Sequence, residues 1–258
     1  MVTPTIGIQM SMLRNEAEID FLGTLKKIKD IGYEAVEFDG FYRLKAKKVK
    51  AALEDYGLIG ISAHTPLNYE NQKKIVSDLK KQADYVAEVG IPYMISPWFP
   101  LPKKPIMADV DQYVDIVRQC SDAVREAGLQ FGFCHLDGEL KSLGKGKRIL
   151  EEVLKRTSPE EMVIEFDLGW LKYADVDMEE LLGRYAGRAP IVHFRDYKVG
   201  HIDTEVGEGV VGYDKLLPLV AELDIPYIIV KQTQFDRTPI ESAKKSFAFF
   251  QRAGYARG

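Results

Sequence analysis

Short apolar runs rich in β-branched residues alternate along the chain with longer stretches in which apolar residues recur every three or four positions. The short runs predict buried strands, and the longer stretches predict amphipathic helices such as Asn71–Glu88 and Val110–Glu126. The predicted strands are Thr5–Met10, Glu34–Asp39, Leu58–His64, Pro92–Pro97, Leu129–His135, Met162–Asp167, Pro190–Phe194 and Tyr227–Gln232. Eight strands alternating with eight helices predict an α/β fold, a single (β/α)8 TIM barrel, with an open doubly wound sheet as the alternative.

An internal repeat favours closure into a barrel. Four times a helical stretch ends in an acidic residue followed closely by Gly, and a strand begins at once. The four instances are Asp30–Phe38, Asp55–His64, Glu88–Ser96 and Glu126–Cys134. Glycine just after a helix takes the left-handed conformation that ends it. The spacing of roughly 30 residues is that of one strand–helix unit. No linker divides residues 1–258, so we expect one barrel domain.

Charge and composition exclude several classes of protein. The chain carries a net charge of −4, and its one basic run, Lys45–Lys50, is typical of a solvated helix face. A basic groove for nucleic acid is therefore not expected. No stretch approaches the length of a membrane span, and the N-terminus lacks the pattern of a signal peptide. Two cysteines, Cys120 and Cys134, without a CxxC pair suit a reducing compartment, so we expect a cytoplasmic protein.

Polar side chains end nearly every predicted strand. The fifth strand stops in Cys134, His135, Asp137 and Glu139, and the last three end in Asp167, in His193 with Asp196, and in Lys231. The earlier strands end in Gln9, Glu37 with Asp39, His64, and Pro97 with Trp98. Because the carboxyl ends of barrel strands meet at one mouth, where barrel active sites lie, these side chains predict one site.

The chain resembles the sugar phosphate isomerase/epimerase family of xylose isomerase-like barrels. The matching stretches are IGIQM, GYEAVEFDGFY, SAHTP, FDLGW, AGRAPIVHFRD, EVGEG and SAKKSFAFFQ, in this order. Together they extend over the whole chain. The resemblance implies a sugar isomerase or epimerase that moves a proton beside a carbonyl, with a small-molecule carbohydrate as its substrate.

The resemblance also implies one divalent metal ion held by four strand-end ligands. Two of these ligand positions match the family, at Asp167 and His193, and two depart from it, at Cys134 and Lys231. A protonated lysine offers three donors and no acceptor, so it cannot replace a carboxylate ligand. We therefore expect a degenerate metal site and no cofactor. If an ion is held by Cys134, Asp167 and His193, we expect Mn, Zn or Co.

Candidate roles follow for the other strand-end residues. Lys231 is the candidate electrophile, with Glu139 or His135 as the base. The candidate substrate-binding residues are Glu37, His64, Trp98 and Arg195. Structural alternatives stay open for three of them: a hydrogen-bonded core carboxylate at Glu37, packing under a loop at Trp98, and an ion pair with Asp167 or Glu205 at Arg195.

Two other functions stay open beside the isomerase or epimerase. Lys231 could form a Schiff base, as in a metal-free lysine-dependent lyase or aldolase. The chain could also be a non-catalytic carbohydrate-binding protein that kept the pocket. The DNA-repair endonucleases with this fold hold a metal cluster rich in His, and four histidines with a negative net charge argue against that branch. The sequence leaves homo-oligomerisation open.

Overall fold

Eight parallel strands close into a barrel in the computed structural model, which describes residues 3–144 and 146–256. The strands are β1 (Thr5–Gln9), β2 (Ala35–Phe38), β3 (Ile59–His64), β4 (Tyr93–Ser96), β5 (Gln130–Cys134), β6 (Val163–Asp167), β7 (Ile191–Phe194) and β8 (Tyr227–Val230). Each strand pairs with its neighbours in sequence, and β1 pairs with β8 to close the barrel. The predicted (β/α)8 barrel is confirmed, and every predicted strand is present with ends shifted by at most two residues.

Helices follow the strands and surround the barrel. They are α1 (Arg14–Ile31), α2 (Ala46–Tyr56), α3 (Gln72–Val89), α4 (Met107–Arg125), α5 (Ile149–Arg156), α6 (Leu168–Tyr173), α7 (Met178–Tyr185), α8 (Tyr213–Glu222) and α9 (Pro239–Arg252). The described residues thus contain nine α-helices rather than eight, because the connection from β6 to β7 is divided into α6 and α7. No helix in these ranges is long and apolar enough to cross a membrane.

Three of the four glycines of the repeat directly follow their helices as predicted, whereas Gly128 lies three residues after the end of α4 at Arg125. Gly32, Gly57 and Gly90 follow α1, α2 and α3 with φ values of 119°, 62° and 94°. Each donates its backbone N–H to a carbonyl in the last turn of its helix, which satisfies a group that the helix itself leaves unpaired. The chain then turns directly into the next strand.

Two short antiparallel hairpins follow barrel strands. Ser142–Gly144 pairs with Lys147–Arg148 after β5, and Asp196–Lys198 pairs with Ile202–Thr204 after β7. The second hairpin begins two residues after β7, so it carries the chain away from the C-terminal mouth of the barrel and back. Asp196, in the first strand of this hairpin, connects it to the loop that follows the hairpin. Its carboxylate accepts hydrogen bonds from the backbone N–H groups of Gly207, Gly209 and Val211.

The barrel interior is divided into an apolar and a polar layer. Ala35, Ile61, Ile191 and Ile229 form a small buried cluster of their own, separate from the main core between strands and helices. Side chains two residues apart on a strand share a face. The inward positions after Ala35 and Ile191 are therefore Glu37 and His193, which lie nearer the C-terminal mouth and are both fully buried. The polar layer rests on the apolar one.

Candidate functional site

Two glutamates and two histidines form a closed ring inside the barrel. The Nε2 atom of His193 lies 2.9 Å from Oε1 of Glu37 and 2.8 Å from Oε1 of Glu165. The Nε2 atom of His64 lies 3.1 Å and 2.9 Å from the same two oxygens. We call these four residues the Glu–His ring. Their ligand atoms all lie within 4.8 Å of one another, so the group could hold a metal ion.

The two glutamates of the ring differ in their other contacts. Glu37 also accepts hydrogen bonds from Nε2 of Gln9 at 2.5 Å and from the Ser62 hydroxyl at 2.6 Å. Glu165 is fully buried, and its Oε2 has no hydrogen-bond partner among the described residues. Its Oε1 shares both of its imidazole partners with Glu37. Within the described part of the chain, Glu165 is therefore a buried carboxylate that is hydrogen-bonded through Oε1 alone, with His64 Nε2 at 2.9 Å, an arrangement that is costly unless a ligand or a charge compensates it.

The ring members shift one another's protonation. Burial by itself raises the pKa of Glu37, but the neighbouring His64 and His193 outweigh it and hold that pKa well below its ordinary value. Burial lowers the pKa of His193, but Glu165 and Glu37 raise it well above its ordinary value. The pKa of His64 is raised by the same two carboxylates against the opposing effect of burial. Opposite charges thus stabilise one another in the ring.

Cys134 and Asp167 lie on the other side of the His193 imidazole from the ring. Its Nδ1 atom faces Sγ of Cys134 at 3.9 Å and Oδ2 of Asp167 at 3.6 Å. Lys231 directly follows β8, and its backbone N–H donates to the carbonyl of Phe194. Its positive charge contributes to lowering the pKa of Asp167 and opposes the rise in that of Cys134. The structure therefore brings near one another the four strand ends at which the resemblance implies metal ligands, which we call the family position.

This family position does not fit a divalent ion. Burial raises the pKa of the Cys134 thiol to about 12, so the thiolate needed for ligation is disfavoured. Burial also opposes ionisation of Asp167, but Arg195 and then His193 outweigh it, and the pKa of Asp167 is lowered. That carboxylate is thus already paired, and Lys231 adds a further cation. A degenerate site is consistent with this chemistry.

Arg195 lies between two aspartates. Its Nε donates to Asp167 at 3.1 Å and its Nη1 to Asp203 at 3.4 Å, while its guanidinium lies 5.4 Å from the centre of the Trp170 ring. Asp203 in turn accepts from the backbone N–H and the hydroxyl of Thr233, both at 2.7 Å. The ion-pair alternative for Arg195 is therefore present, with Asp167 as a partner and with Asp203 rather than Glu205 as the second.

The two candidate bases of the β5 loop are turned towards the backbone. Glu139 accepts N–H groups from Phe99 at 3.2 Å and from Leu136 at 2.9 Å. Both ring nitrogens of His135 also have backbone partners, because Nδ1 faces the Leu136 carbonyl at 3.2 Å and Nε2 accepts from the Asp167 N–H at 3.3 Å. Burial raises the pKa of Glu139 and lowers that of His135, which favours the neutral form of each. Both residues hold the loop in its conformation.

Three cavities lie around the mouth. One of about 400 Å³ is lined by His64, Thr65 and Asp39 and so reaches the Glu–His ring. A second of about 250 Å³ is lined by Arg195, Asp203 and the aromatic residues Trp170, Tyr173, Tyr197 and His201. Trp98 lines neither. It belongs to a third cavity, of about 510 Å³, and packs on Tyr69 with ring centres 5.4 Å apart.

Glu165 and the aromatic cavity were missed in the sequence. Asp167 was predicted as a site residue because it ends its strand. Glu165 lies two residues earlier in β6, and its side chain is on the same face of the strand. A charged residue in the middle of the apolar run MVIEFD was the available signal, because a buried strand carries a carboxylate at its centre only when a partner compensates it. Trp170 and Tyr173 had no comparable signal, since they lie in a helix that the sequence pattern did not separate.

Known proteins with similar sequences and structures agree with this architecture. Residues 25–253 match the family model described as a xylose isomerase-like TIM barrel. An inosose dehydratase from Bacillus cereus (strain AH820) is 23% identical over 91% of this chain and 90% of that enzyme. One from Geobacillus kaustophilus (strain HTA426) is 22% identical over 67% of this chain, and the chain spans 61% of its length.

Solved structures confirm the fold over the full length of the chain. A sugar phosphate isomerase/epimerase from Parabacteroides distasonis ATCC 8503 superposes with a TM-score of 0.86 at 24% identity, covering 100% of this chain and 96% of that one. The IOLI protein, solved with a binding zinc atom, has a TM-score of 0.77 at 12% identity and covers 98% and 99%. Since the family model matches most of its length, the chain belongs to the xylose isomerase-like TIM barrel family.

Proposed function

We propose that the protein is an enzyme of the isomerase/epimerase type that moves a proton beside the carbonyl group of a keto sugar, a sugar phosphate or a polyol-derived ketone. One observation carries the proposal: Glu165 is a fully buried carboxylate whose Oε2 has no hydrogen-bond partner within residues 3–144 and 146–256. Such an oxygen keeps a lone pair free to accept a proton. Its Oε1 is held by the two imidazoles of the Glu–His ring, which fixes the orientation of the carboxylate.

The reaction needs a base and an electrophile. Glu165 takes the proton from the carbon beside the carbonyl, and the electron pair of that C–H bond moves onto the carbonyl oxygen to give an enediolate. Lys231, at the end of β8, supplies the positive charge that stabilises this oxygen. Return of the proton from Glu165 to the former carbonyl carbon, while the proton of the adjacent hydroxyl moves to the former carbonyl oxygen, gives isomerisation. Epimerisation requires instead that solvent protonates the opposite face of the original carbon while Glu165 releases its own proton to solvent. Neither outcome changes the oxidation state of the substrate as a whole.

Glu139 and His135 have no part in this proton transfer. Each already uses its polar atoms on backbone groups of the β5 loop. A base that has to break two such contacts before it accepts a proton is a poor candidate beside Glu165. Glu139 is therefore useful as a control, because it is a buried glutamate at the same mouth with its hydrogen bonds satisfied.

The cavities around the mouth support a carbohydrate as the substrate. Trp170, Tyr173 and Tyr197 offer aromatic surface to the apolar face of a sugar ring, and Asp203 and Arg195 lie beside them to contact hydroxyl or anionic groups. His64 and Asp39 line the cavity on the other side. The names of the inosose dehydratases and of the sugar phosphate isomerase/epimerase point to the same class of substrate.

Exchange of a carbon-bound proton with solvent tests this function. The protein is incubated in D2O with a panel of keto sugars, their phosphates and cyclic polyol ketones, and loss of the proton signal beside the carbonyl is followed by NMR. We expect exchange with at least one compound, a loss of at least about 100-fold in Glu165→Gln, and wild-type exchange in Glu139→Gln. Circular dichroism checks that both variants are folded.

The two other functions give different results in the same experiment. A carbohydrate-binding protein without turnover would shift substrate signals on binding but exchange no proton. A Schiff-base enzyme would gain mass at Lys231 when borohydride is added with the substrate, because reduction traps the imine. Either result, or equal loss of exchange in the two glutamine variants, would contradict the assignment of Glu165.

A further inference from the structure

We propose that the Glu–His ring binds one divalent transition-metal ion, at a place in the barrel different from the family's metal position. Two carboxylate oxygens and two imidazole nitrogens converge there from four strands, β2, β3, β6 and β7. Only His193 belongs to both positions. The inference concerns binding alone, so it stands whether or not the proposed proton transfer is correct.

The distances suit a small ion after a slight expansion. The four N···O separations around the ring are 2.8–3.1 Å. Ligand atoms around tetrahedral zinc, with bonds of about 2.0–2.1 Å, lie about 3.3 Å apart. The ring therefore has to open by about 0.2–0.5 Å, which side-chain rotation on four separate strands can supply.

The charges and donor types indicate the class of ion. Two carboxylates with two neutral imidazoles and a divalent cation sum to zero, so no net charge would be buried. Imidazole nitrogen suits zinc and other late first-row transition metals, whereas calcium and magnesium prefer sites made only of oxygen. Glu165 adds an independent indication, because its carboxylate is fully buried and its Oε2 has no hydrogen-bond partner among the described residues, while its Oε1 contacts only imidazoles that it shares with Glu37.

The groups around the ring are those that support metal ligands. The Ser62 hydroxyl donates to Oε2 of Glu37 at 2.6 Å, which leaves Oε1 for the ion. Oδ2 of Asp167 lies 3.6 Å from Nδ1 of His193. A histidine that ligates through Nε2 commonly directs its Nδ1–H at such a carboxylate, which orients the ring and strengthens the ligand.

Gln9 has to respond when the ion binds. In the structure its amide nitrogen faces Nδ1 of His64 at 3.3 Å and donates to Glu37. With an ion on Nε2, His64 carries its proton on Nδ1, so the amide has to turn and present its oxygen. Ser11, whose hydroxyl now donates to Oε1 of Gln9, can then accept from the turned amide nitrogen.

The orientation of His193 separates the two metal positions. Its Nδ1 faces Cys134 and Asp167, where the family position lies, and its Nε2 faces the ring. If Glu165 binds the ion through Oε1 alone, its Oε2 stays free. One carboxylate can therefore serve the ion and accept a proton, and the two proposals are compatible.

Metal content and cobalt titration test the ring without any substrate. Protein purified without chelator is analysed for Mn, Zn and Co, and chelated protein is titrated with Co²⁺ while its visible spectrum is recorded. We expect about one ion per chain and cobalt bands typical of nitrogen and oxygen ligands, with no thiolate-to-cobalt charge transfer. Glu165→Gln and His64→Gln should each weaken binding by at least about 100-fold, whereas Ser62→Ala should weaken it by about 10–100-fold.

Two control variants carry substitutions outside the Glu–His ring and show whether a loss of binding is specific to the ring. Glu139→Gln removes a buried carboxylate outside the ring, and Cys134→Ser removes the sulfur of the family position, so both should bind cobalt as the wild type does. Thiolate-to-cobalt charge transfer that disappears in Cys134→Ser would place the ion at the family position and overturn the proposal. Absence of binding by the folded wild type would overturn it as well, even with proton exchange intact. Metal binding without proton exchange would support this inference and count against the proposed function.

Discussion

Replacement of Arg195 by methionine tests how the polar layer of the mouth is held together. The guanidinium donates to Asp167 at 3.1 Å and to Asp203 at 3.4 Å, and all three residues are less than one-tenth exposed. Methionine keeps the unbranched apolar stem of the side chain but removes the guanidinium, its charge and its contact with Trp170. Both aspartates then remain in the barrel mouth without their cation.

The cost follows from the separation of the charges. Two unit charges 3.1 Å apart attract by about 5 kcal/mol at an effective dielectric constant of about 20. Removing one member of a buried pair costs about 3–5 kcal/mol, because the other charge is left uncompensated. The free-energy cost at Asp203 is smaller, because the backbone N–H and the hydroxyl of Thr233 still donate hydrogen bonds to it. We therefore expect Arg195→Met to lower the free energy of unfolding by about 3–5 kcal/mol.

Urea unfolding at pH 7, followed by circular dichroism, measures this change. The double variant Arg195→Met with Asp167→Asn should recover at least about 2 kcal/mol of the loss, since it no longer leaves a charged carboxylate at that position. Arg195→Lys keeps the charge but lacks the fork that reaches both aspartates, so an intermediate loss is expected. A loss below about 1 kcal/mol in Arg195→Met, or no recovery in the double variant, would refute the reasoning.

Three further predictions concern groups outside the ring. Burial raises the pKa of Glu205, but the hydrogen bond from Ser242, a backbone hydrogen bond and the cations Arg237 and Lys245 together outweigh burial and lower that pKa. The ionised form of Glu205 therefore adds stability above about pH 4.3 that is lost as the pH falls through the folded-state value. Glu205→Gln should therefore cost about 1–2 kcal/mol at pH 7 and much less at pH 3, and equal losses at both values would contradict this. The Cys134 thiol, with a pKa of about 12, should react with iodoacetamide at pH 8 only after unfolding, as mass spectrometry can establish. In Gly7→Ala the new Cβ would lie 2.6 Å from Cδ1 of Ile229, so thermal or urea unfolding should show a loss of about 1–3 kcal/mol, whereas Gly183→Ala, in open space on α7, should be neutral or stabilising.

The barrel could be predicted because its signals are local. Each strand is a short apolar run, and each of Gly32, Gly57 and Gly90 ends a helix just before the next strand, so neighbouring residues determine every boundary. The division of the connection from β6 to β7 was the exception. Asp175 has a φ of 51° there, and the Asp177 side chain accepts from the backbone N–H of Glu180 to start α7. The sequence contains this capping signal, but it spans only a few residues, and the helical periodicity on both sides of it favours one continuous helix.

The site could be predicted only in part, because side-chain direction depends on tertiary contacts. Strand ends pointed to Glu37, His64 and His193, whose side chains are in contact in the structure. They also selected Glu139 and His135, which turn to backbone groups of their own loop, since the strand pattern carries no information about loop geometry. The pairing of β2 with β3 shifts register between Val36 and Glu37, and such a shift has no clear sequence signal.

The pairing of charged side chains at the barrel mouth could be predicted only in part from the sequence. The sequence places Asp167 and Lys231 at two strand ends as oppositely charged residues. The structure gives Asp167 a closer cation, Arg195 at 3.1 Å, and adds a second carboxylate, Glu165, deeper in the barrel. Partners that lie far apart in the chain, such as Glu37 and His193, can be recognised only after the fold has brought them together.

Anomalous diffraction locates a bound metal ion directly, so it tests most simply whether the Glu–His ring is the metal site. Crystals of protein purified without chelator, or chelated and loaded with Co²⁺, are measured on either side of the absorption edge of the metal. We expect one anomalous peak at the centre of the ring formed by Glu37, His64, Glu165 and His193, with the Gln9 amide oxygen turned towards His64. A peak beside Cys134 and Asp167 instead, or no peak in cobalt-loaded crystals, would contradict this account of the site.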